Sequence, residues 1–265
     1  MNNCLILGSG RSGTSMLAGM LHQAGYYMGE KLHLPRDSNP KGFFEWYRVN
    51  RINEEILAAH DRRGLKGRFV AAVLKKHTVD SPGKSQRWLM AVPDGSGLGP
   101  VPAGLEAEMR AVLQRRPHAF KDPRFSYTLP AWAPLLVPGT VLLCVFRDPA
   151  VTVASMLKEC RSQAYLADLF IGRRDAFRVW TAIYRNVVER LLPRFPSLHL
   201  VHYKQVLDGS ARERLESALQ ARLSWEFADP RLARTRSRRP APPAARQLYA
   251  RLCALAGYAP SGPES

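Results

Sequence analysis

The stretch Cys4-Leu5-Ile6-Leu7-Gly8-Ser9-Gly10-Arg11-Ser12-Gly13-Thr14-Ser15-Met16-Leu17 decides how this chain folds. An apolar run ends in a glycine-rich turn, and the next segment, Met16-Leu17-x-x-Met20-Leu21, has helical apolar spacing. Strand, glycine loop and helix together cradle a phosphate, because backbone N–H groups and the helix dipole favour an anion there. From Gly8 to Gly13 the spacing fits the nucleotide pattern G-x-x-x-x-G-K-[ST], except that Thr14 stands where the lysine belongs and a cation comes earlier, at Arg11. A loop that hydrolyses a nucleoside triphosphate uses that lysine on the β- and γ-phosphates. Its absence argues against a kinase or ATPase and for another phosphate-bearing donor. Any tight strand-to-helix turn needs glycines and hydroxyl caps; the added cation points beyond a plain turn.

The chain has 265 residues, 46% hydrophobic and 23% charged, enough for one substantial core. Residues 1–265 therefore read as one domain, with a substrate-facing insertion at 61–104 and a basic C-terminal segment at 230–265. No run of about 18 apolar residues predicts a membrane span. The N-terminus enters a strand directly, without a signal peptide, so the expected location is cytoplasmic. Cys4, Cys144, Cys160 and Cys253 are widely spaced, without metal-binding pairing, and read as reduced thiols. Net charge is +17, which suits nucleic acid, an anionic membrane or acidic small molecules. Biased composition with a solvated surface gives the same balance, and no aromatic-interleaved basic stripe supports a nucleic-acid module.

Predicted strands at 4–8, 118–121, 140–146 and 198–203 alternate with predicted helices at 14–25, 46–60, 105–115, 127–137, 150–158, 163–193, 210–221 and 245–256. This alternation predicts an α/β fold with a parallel sheet. The continuous apolar run Val141-Leu142-Leu143-Cys144-Val145-Phe146 marks a strand buried on both faces. Between Arg62 and Arg87 the chain is strongly basic; between Pro93 and Gly104 it is rich in Pro, Gly and Ser.

Three further motifs carry chemistry. Phe146-Arg147-Asp148-Pro149 closes the buried strand, where open α/β sheets bind ligands, and Ser155 follows two turns into the next helix. Read locally, Arg-Asp at a strand end is an ion pair. Phe120-Lys121-Asp122-Pro123-Arg124 ends another strand, and its local reading is a charged turn. Asn39-Pro40-Lys41-Gly42-Phe43-Phe44-Glu45 places a glutamate beside aromatic residues that would partly bury it and improve it as a base.

Together these motifs resemble the PAPS-dependent sulfotransferases, whose donor is 3′-phosphoadenosine 5′-phosphosulfate, and within them the bacterial carbohydrate and tyrosylprotein branch. Ser9-Gly10-Arg11-Ser12-Gly13-Thr14-Ser15 resembles the family's 5′-phosphosulfate loop. Arg147 with Ser155 resembles its 3′-phosphate motif, and Lys121 the lysine at the reacting sulfuryl group. Tyr203 matches another landmark, but Lys204 and Gln205 stand where acidic residues usually follow. The resemblance runs from residue 4 to about 225. It implies a P-loop-type three-layer fold with a central parallel sheet of about five strands, and sulfuryl transfer to a hydroxyl or amine of a carbohydrate, lipid-linked or other small acceptor. The co-product would be adenosine 3′,5′-bisphosphate, with no metal, nucleic acid or membrane partner expected.

In that reading Ser9, Gly10, Arg11, Ser12, Gly13, Thr14 and Ser15 bind the 5′-phosphosulfate, and Arg147 and Ser155 bind the 3′-phosphate. Arg11, Lys121 and Glu45 take the catalytic roles, with Glu45 as base and Glu30 or His33 as alternatives. The basic 62–87 stretch suggests an acidic acceptor or an ordinary solvated flap, and Arg234, Arg236, Arg238 and Arg239 a clamp on the 3′-phosphate or plain surface. Two other functions compete. A small-molecule kinase using ATP–Mg would need Asp148 or Asp122 to hold magnesium, and a binding module would rest on net charge alone.

Overall fold

The computed structural model describes residues 1–37, 39–59, 76–93, 100–232, 235–237 and 239–260. Its first elements are strand β1, Cys4–Leu7, and the helix Thr14–Gln23 that follows the glycine loop. The helix Tyr47–Ala58, the two-residue strand β2, His77–Thr78, and the helix Leu105–Val112 come next. Strand β3, Ala119–Lys121, leads into the helix Phe125–Trp132, and β4, Val141–Phe146, into the helix Pro149–Ser162. After the short β5, Leu169–Phe170, the helix Arg173–Asn186 runs on through a π-helical turn, Val187–Leu191. Strand β6, Leu198–His202, and the helices Tyr203–Leu207, Arg212–Leu219 and Pro243–Leu255 complete the order.

The central sheet has the strand order β3-β1-β4-β6, and every pairing in it is parallel. The fold is thus α/β with a parallel sheet flanked by helices, as its alternating pattern predicts. Among the described residues the sheet has four strands, one fewer than the five expected; β2 and β5 pair with each other instead of joining it. Its register sets Cys4 beside both Ala119 and Val141, so β1 lies between two neighbours and is buried throughout.

Alternation along the strands divides the core into two layers. Cys4, Ile6, Leu143 and Val145 pack with Leu17, Leu21, Leu215 and Leu219 on one face. Leu5, Leu7, Leu142, Cys144 and Phe146 pack with Ile52, Trp132, Trp180 and Tyr184 on the other. Each fully buried leucine contributes about 1.5–3 kcal/mol, which is why strands with two covered faces tolerate no polar register.

Helix starts explain two motifs. Asp148 does not serve as a strand-end ion-pair partner: its carboxylate caps the helix Pro149–Ser162, accepting from Ala150 N at 2.7 Å and Val151 N at 3.0 Å. Pro149 takes the first helical position, where its missing N–H costs nothing. That helix runs four residues beyond its predicted end at 158. The described part of the predicted insertion is no detached flap. Val79, Leu89, Met90 and Ala91 are buried in the larger apolar layer. Residues 60–75 and 94–99, with most of the basic stretch, lie outside the described residues, as do Arg234 and Arg238. Among the described residues, no helix is long and apolar enough to cross a membrane.

Candidate active site

The glycine loop is built around contacts that leave no room for side chains. A Cβ on Gly8, at φ +123°, would lie 2.2 Å from the Val145 carbonyl oxygen, so β4 presses directly on the loop. A Cβ on Gly13, at φ +97°, would meet the Tyr203 ring at 2.3 Å. Arg11 itself adopts a left-handed φ of 71°, uncommon for a side chain-bearing residue and a mark of a loop held by its surroundings. The holding groups are polar and buried. Gly8 N donates to Ser126 Oγ at 3.0 Å and Ser9 N to Tyr184 Oη at 3.1 Å. Tyr184 Oη in turn donates to Val145 O at 2.8 Å.

The helix Thr14–Gln23 begins with no side-chain cap. Its first N–H groups, those of Thr14 and Ser15, are among the donors a helix leaves without an internal acceptor. They open onto a cleft of about 1200 Å³ that Gly10, Arg11, Gly13, Thr14, Ser15, Glu45, Lys121, Arg147 and Ser155 all line. The sheet topology thus gathers nine of the sequence-predicted site residues. Ser9 and Ser12 stand apart: both are fully buried, and their hydroxyls bond loop or strand carbonyls. Ser12 Oγ donates to Ser9 O at 2.6 Å, so its role is to brace the loop.

Arg11 reaches across to the helix Pro149–Ser162. Its Nε donates to Ser155 Oγ at 3.2 Å, and its guanidinium lies 3.6 Å from the Glu159 carboxylate. The two donor-like motifs, distant in sequence, therefore touch. Arg147 stacks over the Tyr203 ring at 4.5 Å and donates to Thr235 O at 3.4 Å, so Tyr203 is wedged between Arg147 and Gly13. Lys121, 3% exposed, contacts the Glu45 carboxylate and donates to Ser15 Oγ at 3.1 Å.

Of the alternative bases, His33 lines the cleft and Glu30 does not. His33 N donates to Glu45 O at 3.0 Å, its ring lies 3.7 Å from that of Tyr47, and its Nε2 is 2.8 Å from Asn50 Oδ1. Burial holds its pKa below the usual histidine value, and the neighbouring Glu45 carboxylate only partly opposes this. Glu30 is exposed, with its charge felt by the Tyr27 hydroxyl.

Beneath the cleft lies a polar network that no short motif announces. Asp122 is fully buried. Its Oδ1 accepts from Arg124 N at 2.9 Å and Arg124 Nη1 at 3.0 Å; its Oδ2 accepts from Asn50 Nδ2 at 2.7 Å and Asn53 Nδ2 at 2.9 Å. Arg124 Nε also donates to Glu54 Oε1 at 2.7 Å. Burial disfavours the Arg124 charge, but the carboxylates of Asp122, Glu54 and Glu45 outweigh it and hold the pKa above the usual arginine value. Glu54 also accepts from Ser85 N, Arg87 N and Arg87 Nη1, which ties residues 85–87 to the same floor. On that segment Trp88 covers the loop, and a Cβ on Gly10 would lie 2.5 Å from its ring.

A parallel α/β sheet with a glycine loop at the carboxyl end of β1, and cations from two further strand ends, defines an anion-binding site. The chain matches the model of the Sulfotransferase family over residues 4–237, and it belongs to that family. No curated protein matches it. Among solved structures it is similar to the sulfotransferase domain from the curacin biosynthetic pathway, at 14% identity and a TM-score of 0.53, covering 97% of this chain and 98% of that one. It is also similar to a sulfotransferase from Alicyclobacillus acidocaldarius, at 13% identity and a TM-score of 0.47, covering 98% of each. Family membership makes this a sulfotransferase.

Proposed function

We propose that the chain moves a sulfuryl group from 3′-phosphoadenosine 5′-phosphosulfate to a hydroxyl or amine of a carbohydrate, lipid-linked or other small-molecule acceptor. The observation that carries this reading is the meeting of both donor-like motifs and the Lys121–Glu45 pair in one cleft. The donor set fits a polyanion: uncapped helix N–H groups, hydroxyls of Thr14, Ser15 and Ser155, and the cations Arg11, Lys121 and Arg147. Thr14 and Ser15 with the loop N–H groups would hold the 5′-phosphosulfate. Arg147 and Ser155 would hold the 3′-phosphate that distinguishes this donor from ATP. When bound, the donor supplies an activated sulfuryl group.

The protein's own chemistry lies in positioning and charge. Lys121 is fixed by Ser15 and Glu45, so its ammonium needs no reorganisation to stabilise negative charge at the loop. Glu45 takes the proton of the acceptor hydroxyl on its carboxylate. Arg11 bridges the loop and Ser155, so an anion at either place orients the same guanidinium. The cleft exceeds the roughly 300–1,000 Å³ of ordinary small-ligand sites, which leaves room for donor and acceptor together.

The kinase reading loses its magnesium acids. Asp148 is spent on a helix cap and Asp122 on four internal donors. Donor choice tests both readings. Adenosine 3′,5′-bisphosphate is expected to raise the melting temperature, and Arg147→Ala to weaken its binding about tenfold or more, toward that of adenosine 5′-phosphate. Stabilisation by ATP–Mg without any by the bisphosphate overturns the proposal. An acceptor screen with labelled donor and a mass readout of the added sulfuryl group would then identify the acceptor.

A further inference from the structure

Away from Arg147 and Tyr203, the cleft is lined by aromatic rings and by cations that have no acidic partner among the described residues. Arg36 is the clearest of these. Its guanidinium lies 5.7 Å from the centre of the Phe43 ring and 5.7 Å from that of Tyr165. One N–H donates to Gln163 Oε1 at 2.9 Å. A guanidinium has five N–H donors, and among the described residues Gln163 takes one of them, so the others are available to a ligand beside the two rings. Lys84 and Lys158 line the same cleft. Among the described residues, none of the three has a carboxylate within ion-pair distance.

The acids of the cleft are distributed in the opposite way. Glu45, Glu54, Glu55, Glu159 and Asp229 are each engaged by a cation. Asp37 is the exception, and it offsets one of the three positive charges. The surplus is therefore positive at the mouth. The loop that carries Lys84 is fixed there, since Gln86 Nε2 donates to Tyr165 O at 2.8 Å. Aromatic walls with a cation at their edge recognise a ring that carries an anionic substituent.

We infer that the acceptor is an anionic ring compound, an aryl or glycosyl molecule bearing a carboxylate or sulfate, and that Arg36 reads its charge. This rests on the donor reading above and goes beyond it by naming the acceptor class. Arg36 acts on specificity and takes no part in the transfer.

The test uses the full chain saturated with adenosine 3′,5′-bisphosphate, so that the donor phosphates are accounted for. Two matched pairs serve as probes: 4-hydroxybenzoate against 4-hydroxybenzamide, and 4-nitrophenyl β-glucuronide against 4-nitrophenyl β-glucoside. Binding is read by calorimetry or ligand-observed NMR. In at least one pair the anionic member is expected to bind about tenfold tighter. That preference should shrink at high salt and vanish in Arg36→Gln, with affinity for the bisphosphate unchanged. Equal binding within both pairs, no binding of any probe, or a preference that survives Arg36→Gln overturns the inference. Failure of the bisphosphate itself to bind overturns the donor reading instead, so the two failures are distinguishable.

Discussion

Replacing Asp122 with asparagine tests whether the cleft floor is a network built around one buried charge. The carboxylate accepts four hydrogen bonds, two on each oxygen, and is fully buried. Asparagine keeps one oxygen and turns the other into a donor. That donor would face either the Arg124 N–H groups or the amides of Asn50 and Asn53. Asn53 cannot flip to accept, because its Oδ1 already accepts from Thr128 Oγ1 at 2.7 Å and Trp132 Nε1 at 2.8 Å. Arg124 would keep Glu54 but lose its second counter-charge, the fully buried Asp122 carboxylate. Breaking a buried pair in this way costs about 3–5 kcal/mol. That is a large share of the roughly 5–15 kcal/mol by which domains are stable. In a chain of this length it corresponds to a fall in melting temperature of about 6–20 °C. Urea denaturation of wild type and Asp122→Asn, with the slope checked for constancy, measures the loss directly. A loss under about 1 kcal/mol would refute the reasoning, since that is the scale of an ordinary substitution. So would strict additivity with Asn50→Ala, because residues that share a hydrogen bond should couple.

Three other outcomes are expected. Gly13→Ala must place a side chain at φ +97° and within 2.3 Å of Tyr203, so it should cost about 1–2 kcal/mol from the backbone alone and weaken bisphosphate binding; unchanged melting and binding would contradict the described loop. Glu45→Gln should abolish transfer in a labelled-donor assay while nucleotide binding persists, and normal turnover would remove Glu45 as base. Burial lowers the pKa of His118 to about 4, so above the unfolded value near 6.5 both folded and unfolded states are neutral there. Between pH 6.5 and 4 the unfolded state binds the extra proton, and stability should fall as pH falls through that window. Urea titrations across it should show a shallower slope for His118→Phe than for wild type, and an equal slope would exclude His118 as a contributor.

Much of the architecture was readable before any coordinates. Glycines at 8 and 13 announced a loop because left-handed backbone is a local property, and both adopt it. The strand β4 announced two covered faces because all six of its residues are apolar, and all six are buried. Other features were not readable in the same way. The hydroxyl of Tyr184 holds Ser9 N across 175 residues, and only its helical spacing, which marks a core position, hinted that it mattered. Trp88 over Gly10 and the Glu54 junction arise from a segment that reads as an insertion, because its burial depends on partners from other elements. Glu159 carries one signal, its i+4 spacing from Ser155, which places both on one helix face toward Arg11.

By itself, then, the sequence determined the strand–loop–helix, the parallel α/β pattern and the family resemblance, since glycine conformation, capping and periodicity act within a few residues. Only the tertiary structure decided which charges meet. The order β3-β1-β4-β6 carries Lys121 to Glu45 and Ser15, and Ser155 to Arg11, while it buries Asp122 and turns Ser9 and Ser12 inward. Such meetings follow from strand order and register, which bring together side chains between 76 and 144 residues apart.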